Sequence, residues 1–307
     1  MLATYIDQLA AARHLTAEEV EISVERLVDE DVSPQQKADF LCNLALKGET
    51  VDEITWFARA LRAKAIQPPI DAVTRSGIIL DVCGTGGDRL NTFNISTTVA
   101  LVCAAAGVAV AKHGNRAVTS QAGSADVLEA LGIRIDLEPR EAADSLRERK
   151  FAFFFAPAYH PAFRHIATAR KLCAERGQRT IFNFLGPLLN PAAPTAQLVG
   201  VPRPVVCEPL AKVLQSLGVR RGMVVSGSVA EGAKGAGEKR CLDELSILGS
   251  NSICEFYQER GFANSTLEPE HFPLQPASLA DLAGGTREAN AEIVRAILRG
   301  KERGPKR

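Results

Sequence analysis

Two patterns of apolar residues divide the chain near residue 70 and limit the folds open to it. Before residue 65 the apolar spacing is helical, whereas after residue 75 short apolar runs alternate with helical stretches. Short apolar strands separated by helices are typical of a mostly parallel sheet covered by helices. The pattern therefore predicts an α/β fold with a small N-terminal helical domain, and 307 residues are enough for two domains.

Helix-capping sequences mark three helix starts in the first 65 residues. In each, a hydroxyl side chain can accept from an early backbone N–H while a Glu or Gln reaches back to the cap. These starts are Thr16–Glu19, Ser33–Gln36 and Thr50–Glu53. Gly48 permits a left-handed helix end, and Gln67–Pro69 breaks the helical pattern. We therefore predict a helical domain over residues 1–68 and an α/β domain over residues 69–307.

The second region contains five short apolar runs and several amphipathic stretches. The runs predict strands at Gly77–Val82, Val108–Ala111, Phe151–Phe155, Gln197–Val201 and Gly222–Ser226. The stretches predict helices at Ile95–Ala106, Pro139–Arg149, Cys207–Leu217 and Glu288–Arg299.

Charge and composition exclude several classes of protein. The 36 Lys and Arg balance the 36 Asp and Glu, which argues against a general nucleic-acid binder. The longest apolar run, Val99–Ala111, has 13 residues, and a membrane span needs about 20. The N-terminus has no signal-peptide pattern. The seven cysteines form no CxxC pair, so we expect reduced thiols and a cytoplasmic protein.

Two loops suited to phosphate binding follow the first predicted strand. Gly84–Asp88 is glycine-rich, so that backbone N–H groups can converge on an anion, although a plain tight turn explains it equally well. Asn91–Thr98 places hydroxyl and amide groups at a helix N-terminus, where the dipole favours an anion and a simple N-cap is the alternative. Together they favour a ligand site over two independent structural features.

Two further motifs carry groups that suit an anionic ligand and a cation. Lys112–Arg116 follows a predicted strand, at the sheet edge where α/β proteins bind ligands. Asp243 and Glu244 are adjacent carboxylates of the kind that Mg²⁺ prefers, although most such pairs are merely solvated.

The stretch Asp81–Leu131 resembles the signature region of anthranilate phosphoribosyltransferases. Its GTGGD, NTFNIST and KHGNRAVTSQAGSADVLEALG segments have the family's order and spacing, and FAPAYHPAFRHIA and RTIFNFLGPLLNP further on are also similar. The resemblance implies transfer of the 5-phosphoribosyl group of phosphoribosyl pyrophosphate (PRPP) to the amine of anthranilate, with release of pyrophosphate, in L-tryptophan biosynthesis. It also implies a homodimer and a helical domain that takes in part of 160–185. The chain departs from the family at Gly304–Arg307, where it stops before the family's C-terminal helices.

The resemblance assigns roles to individual residues. It implies that PRPP contacts Gly84, Gly87, Asp88, Thr92, Asn94, Ile95, Ser96, Thr97, Lys112, Ser120 and Ser124. It implies that Asn115 and Arg170 contact anthranilate, with Arg176 as an alternative for its carboxylate. Mg²⁺, the implied cofactor, is held by Ser96, Asp243 and Glu244.

The chemistry of the implied reaction suits these residue types. Lys112 is expected to stabilise charge on the leaving pyrophosphate. Because the amine of anthranilate is already a nucleophile, we assign no essential general acid or base. His113 and His160 remain alternatives for that role, and Arg116 is expected near the anthranilate channel. Two other functions stay open, a phosphoribosyltransferase for another aromatic amine and a non-catalytic relative that binds nucleic acid or a protein.

Overall fold

Four helices form an N-terminal bundle in the computed structural model, which describes residues 2–117, 121–229, 240–271 and 274–307. They are α1 Leu2–Ala10, α2 Ala17–Val28, α3 Pro34–Lys47 and α4 Val51–Ala63. Thr16 and Thr50 each form the reciprocal capping box, and Ser33 caps α3 through the Gln36 N–H. Gly48 ends α3 with a φ of 87°. The predicted helix starts are thus confirmed.

A buried ion pair links the end of α3 to the start of α4. Lys47 Nζ lies 2.7 Å from Glu53 Oε2, and the two side chains are 1% and 0% exposed. The Glu53 carboxylate also accepts from the backbone N–H groups of Leu15 and Thr50. Burial alone would raise the pKa of Glu53, but these hydrogen bonds and Lys47 outweigh it and lower that pKa. The pair therefore stabilises the bundle in its ionised form.

We expect Glu53→Gln to lower the free energy of unfolding by about 3 kcal/mol at pH 7, because it leaves a buried ammonium without its anion. Since the folded pKa of Glu53 is lowered, its contribution is present at neutral pH and is lost as the pH falls below the ordinary value of 4.5. Urea unfolding at pH 7 and pH 4 measures both effects. Glu208→Gln, which breaks an exposed pair with Lys212, is the control and should change stability by less than about 0.5 kcal/mol. An equal loss in both variants would contradict the assignment.

The second region is built on one eight-stranded sheet. Its strands are β1 Ile79–Gly84, β2 Ala109–Gly114, β3 Phe151–Phe155, β4 Ala196–Gly200, β5 Arg221–Ser228, β6 Cys241–Leu242, β7 Asn251–Tyr257 and β8 Gly261–Leu267. The order is β3-β2-β1-β4-β5-β7-β8, with β6 paired to β5. The first five strands are parallel and the last three antiparallel. The predicted mostly parallel sheet and all five predicted strands are confirmed.

Helices and short helical turns connect the strands. They are α5 Ala72–Ser76, α6 Ile95–Ala105, α7 Ser124–Ala130, α8 Pro139–Arg149, α9 Ala156–Tyr159, α10 Ala167–Glu175, α11 Phe182–Leu185, α12 Cys207–Ser216 and α13 Arg287–Leu298. One apolar cluster runs from the bundle through α10 and α12 to the sheet, for example from Phe40 through Ala169 and Leu214 to Val224. Within the described ranges, no helix is long and apolar enough to cross a membrane.

Candidate active site

Glycines end the neighbouring strands β1 and β4, and the segment carrying Asp243 and Glu244 lies against them. Gly84 and Gly200 are register partners. A Cβ on Gly84 would lie 2.0 Å from Asp243 Oδ2, and one on Gly200 only 1.5 Å from the Asp243 carbonyl oxygen. Such distances exclude any larger residue without movement. The two glycines therefore allow the acidic pair to sit at the carboxyl edge of the sheet.

The glycine-rich loop after β1 wraps around Asp243. Gly86 and Gly87 have φ values of 77° and 90°, which favour glycine. The Gly86 N–H donates to Asp243 Oδ2 at 2.7 Å, and the Thr85 N–H donates to the Gly200 carbonyl at 2.9 Å. The loop and the acidic segment, 157 residues apart in the chain, thus form one unit.

A C-terminal segment contacts the start of the second phosphate-compatible loop, Asn91–Thr98. Thr92 bridges to Ala283 in antiparallel fashion, and the Phe93 N–H donates to the Leu282 carbonyl at 3.0 Å. Asn290, 3% exposed on α13, donates to Asn94 Oδ1 at 2.9 Å. Asn94 Nδ2 in turn donates to the Ala122 carbonyl. The Asn94 side chain is therefore engaged in positioning the start of α6.

The side chains of the first turn of α6 lie partly in the core and partly toward Lys112 and the acidic pair. Ile95 is partly buried against the apolar cluster of Leu90 and Phe93, and its N–H donates to the Phe93 carbonyl at 2.7 Å. Ser96 Oγ lies 3.4 Å from Lys112 Nζ. Thr97 Oγ1 is buried and has no hydrogen-bond partner in the described part of the chain.

Three carboxylates and one buried ammonium converge beside this turn. Lys112 is 2% exposed, and its Nζ donates to the Val82 carbonyl at 2.7 Å. Desolvation and then Asp88 raise the pKa of Asp243 to about 7. Desolvation and then Asp243 raise the pKa of Glu244 to about 8, although Lys112 and the Ser96 N–H act the other way. The cleft therefore gathers more acidic groups than the one described ammonium balances, so that Asp243 and Glu244 release their protons only near or above neutral pH.

This donor set fits Mg²⁺. Carboxylate and hydroxyl oxygens are its preferred ligands, and it is commonly held by one or two carboxylates together with substrate phosphates and water. Among the described residues, no three His, Cys, Asp or Glu side chains are arranged to hold a metal by themselves. Asp243, Glu244 and Ser96 would supply only part of the octahedral set of oxygens that Mg²⁺ takes.

An aromatic wall with two histidines lies beyond β2. The rings of His113 and His160 are 5.2 Å apart, and Phe163 stacks on His160 at 5.0 Å. The Arg170 guanidinium lies 5.1 Å from the ring centre of Phe182, which packs edge-on against Phe163. Arg170 forms no ion pair with any described carboxylate. The wall is therefore a packed aromatic cluster, with Phe163 partly exposed, beside an arginine that pairs with no described carboxylate.

Burial keeps both histidines neutral. It lowers the pKa of His113 to about 3 and that of His160 to about 4, and their mutual repulsion adds to the shift of His113. His113 Nδ1 lies 3.2 Å from the Gly186 carbonyl oxygen. Neither ring is therefore a strong base at neutral pH.

Other residues singled out in the sequence lie elsewhere or are engaged. Arg116 pairs with Asp126 and Glu129 at 3.0 and 2.6 Å and lies over the ring of Phe155. Arg176 pairs with Asp39 of the bundle at 2.8 Å, so the alternative that placed it on a ligand carboxylate is not supported. Ser120 lies outside the described residues.

The segment after β2 is held by its own backbone. Ser124 Oγ and the Ala125 N–H both contact the Asn115 carbonyl. A Cβ on Gly114 would lie 2.3 Å from Ser124 Oγ. Ser124 and Asn115 are thus brought together at the end of β2, close to the other strand ends that form the site.

Family models match both parts of the chain. Residues 3–65 match the helical bundle domain of a glycosyl transferase family, and residues 76–307 match its a/b domain. An anthranilate phosphoribosyltransferase of Moorella thermoacetica is 48% identical over 307 residues, covering 100% of this chain and 85% of that protein. The corresponding protein of Petrotoga mobilis is 44% identical over 303 residues, with 99% and 82% covered.

Solved structures agree with this match. The anthranilate phosphoribosyltransferase of Thermus thermophilus superposes with a TM-score of 0.84 at 42% identity, covering 98% of this chain and 84% of that one. The Saccharomyces cerevisiae protein, solved in complex with PRPP and Mg, gives 0.83 at 26% identity, with 98% and 82% covered. A complex of the yeast protein with 4-fluoroanthranilate gives 0.81 at 25% identity.

Proposed function

The chain belongs to the anthranilate phosphoribosyltransferase family, and on this premise we propose that it transfers the 5-phosphoribosyl group of PRPP to the amine of anthranilate, releasing pyrophosphate, in L-tryptophan biosynthesis. One observation carries the proposal. The glycine-loop and carboxylate centre lies one strand away from an aromatic wall with an unpaired arginine. A phosphorylated ribose donor and an aromatic carboxylate thus find complementary surfaces side by side.

PRPP binds where the glycine loop, the first turn of α6 and Lys112 meet. In the glycine loop, the N–H groups of Gly87 and Asp88 donate to no described acceptor and suit phosphate oxygens. The partnerless Thr97 hydroxyl and the Ser96 hydroxyl supply further polar contacts. The Asn94 side chain and the Thr92 backbone hold this turn in place. Asn115 and Ser124 close the site from the end of β2.

Mg²⁺ is held by Asp243, Glu244 and Ser96 together with oxygens of PRPP. When bound, it neutralises the pyrophosphate and makes it a better leaving group. Lys112, held by the Val82 carbonyl next to Ser96, stabilises the negative charge that grows on the departing pyrophosphate.

Anthranilate lies against the aromatic wall, with its carboxylate on Arg170. Its amine is already a nucleophile, and the pKa values of about 3 and 4 for His113 and His160 make both histidines poorly matched to proton abstraction at neutral pH. We therefore assign no general base. Acceleration comes from holding the amine in line with the ribose carbon.

The test follows the loss of anthranilate fluorescence on addition of PRPP and Mg²⁺. Turnover at neutral pH is the expected result. Absence of turnover by folded protein would refute the proposal, and turnover only with other aromatic amines would reassign the acceptor. Parallel assays with such amines distinguish these outcomes.

We expect Arg170→Ala to raise the KM for anthranilate by about 10- to 100-fold, because it removes a charge-assisted hydrogen bond to the carboxylate. The KM for PRPP should stay within a factor of two or so, since Arg170 lies on the aromatic wall and not at the glycine loop. Steady-state kinetics with each substrate varied in turn measures both values. A KM for anthranilate that does not change would remove Arg170 from the acceptor site.

We also propose a homodimer, cytoplasmic location, and a helical domain of 1–68 joined by part of 160–185. Packing of α10 on α3 through Ala169 and Cys173 supports that division. Leu46, on α3, is 73% exposed and apolar, which suits a protein contact. No disulfide joins any cysteines of the described ranges, as in a reducing compartment.

Light scattering after size exclusion tests the dimer, and a monomeric mass would refute it.

A further inference from the structure

Arg179 lies in the short connection between α10 and α11, and its backbone is fixed on its C-terminal side. The next two residues, Thr180 and Ile181, are 5% and 0% exposed. The Thr180 N–H donates to Asn183 Oδ1 at 2.9 Å. The Arg179 carbonyl accepts from Gln178 Nε2 at 2.9 Å. The exposed side chain of Arg179 therefore extends from a backbone that neighbouring hydrogen bonds hold in place.

The guanidinium of Arg179 reaches the glycine loop. Its Nη2 lies 3.4 Å, and its Cζ 4.0 Å, from the position that a Cβ on Gly87 would occupy. Apart from the two chain neighbours of Gly87, no other described residue comes within 4 Å of that position. Arg179 therefore lies beside Gly87, whereas Asp243 contacts the same loop at Gly84 and Gly86.

The charge of Arg179 is not balanced by any described carboxylate. Two other arginines of the same stretch have other contacts: Arg176 pairs with Asp39, and Arg170 lies over the ring of Phe182. Within the cleft, Lys112 is the ammonium that faces the carboxylates Asp243 and Glu244. PRPP, with a 5-phosphate and a pyrophosphate, brings several more negative charges, so a second cation beside the loop would stabilise the complex.

We propose that Arg179 binds phosphate oxygens of PRPP at the glycine loop, beside Gly87. The inference rests on the proposed function. A planar guanidinium donates two parallel hydrogen bonds to a phosphate and holds it in one orientation, which an ammonium cannot do. Arg179 thus contacts the donor PRPP, whereas Arg170 contacts the acceptor anthranilate.

The experiment compares Arg179→Ala, Arg179→Lys and the control Arg176→Ala. KM and kcat are measured with each substrate varied, and calorimetry measures binding of Mg²⁺ with pyrophosphate and of ribose 5-phosphate without acceptor. Arg179→Ala should raise the KM for PRPP by about 10- to 100-fold, as expected for loss of a charge-assisted bidentate contact. Arg179→Lys should recover only part of this loss. Arg176→Ala should leave both KM values unchanged.

The two anions identify the phosphate that Arg179 holds. Weakened binding of pyrophosphate alone places the contact on the leaving group, and weakened binding of ribose 5-phosphate alone places it on the 5-phosphate. An unchanged KM for PRPP with unchanged binding of both anions overturns the inference, as does a rise in the KM for anthranilate alone. If the wild-type chain binds pyrophosphate through Arg179 but does not turn over, the proposed function fails while this inference stands.

Discussion

Asp243→Asn combined with Glu244→Gln is expected to lower kcat/KM by about 1000-fold or more, while raising the melting temperature. The double change removes two ligands that bring Mg²⁺ to the pyrophosphate, and loss of one such electrostatic contact in other enzymes costs about 100- to 1000-fold. Both amides are close in shape to the acids they replace. The amide oxygen introduced by Asp243→Asn can still accept from the Gly86 N–H, as the Asp243 carboxylate does now.

The same variant should be more stable without metal. Asp88, Asp243 and Glu244 repel one another in a desolvated cleft, and both Asp243 and Glu244 have raised pKa values because of it. Replacing two of the three like charges removes that cost. A gain of about 1 kcal/mol corresponds to roughly 2–4 °C in Tm for a chain of this size. Sites whose groups serve function at a cost to stability commonly behave in this way.

Asp144→Asn combined with Glu148→Gln is the matched control, because these acids lie exposed on α8. It should change neither activity nor Tm appreciably. Calorimetric melting and a titration of the reaction rate with Mg²⁺ provide the two readouts. An unaltered Mg²⁺ titration would remove Asp243 and Glu244 from the metal site, and a lower Tm would show that the pair stabilises the fold.

Gly200→Ala is expected to lower kcat/KM by about 100-fold or more, although the substitution adds only one methyl group. The new Cβ would lie 1.5 Å from the Asp243 carbonyl oxygen and 2.2 Å from its carbonyl carbon. Since these are backbone atoms, no side-chain rotation relieves the overlap, and the segment of Asp243 and Glu244 must move away from β4. A displacement of about 1 Å at a catalytic group can cost about 100-fold in rate.

Gly77→Ala is the control for this change. Gly77 precedes the same sheet, and its nearest atom to a new Cβ would be a backbone oxygen at 3.5 Å, an ordinary contact. It should retain full activity. Kinetics at several Mg²⁺ concentrations distinguishes a displaced metal site from general damage, because Gly200→Ala should then require more Mg²⁺. Full activity of Gly200→Ala would mean that the acidic segment does not need its position against β4.

Most of the fold can be predicted from local sequence signals. Thr16, Ser33 and Thr50 cap helices through contacts three residues away, so a short window of sequence is enough to find them. The five parallel strands are buried apolar runs, which also stand out locally. The hairpin of β7 and β8 is not predicted, because β8 (GFANSTL) lies at the sheet edge with its residues largely exposed and shows no apolar run.

The sequence by itself determined the two-part architecture, the phosphate-compatible loops and the family, since each depends on residues close together in the chain. Only the tertiary structure decided which groups meet. It places Gly200 against Asp243, Asn290 in a hydrogen bond with Asn94, and Arg179 beside Gly87. It also shows that Arg116 and Arg176 form ion pairs with other residues of the chain. The physical reason is that close approach and burial arise between segments up to 196 residues apart, and no local pattern of residue types records those distances.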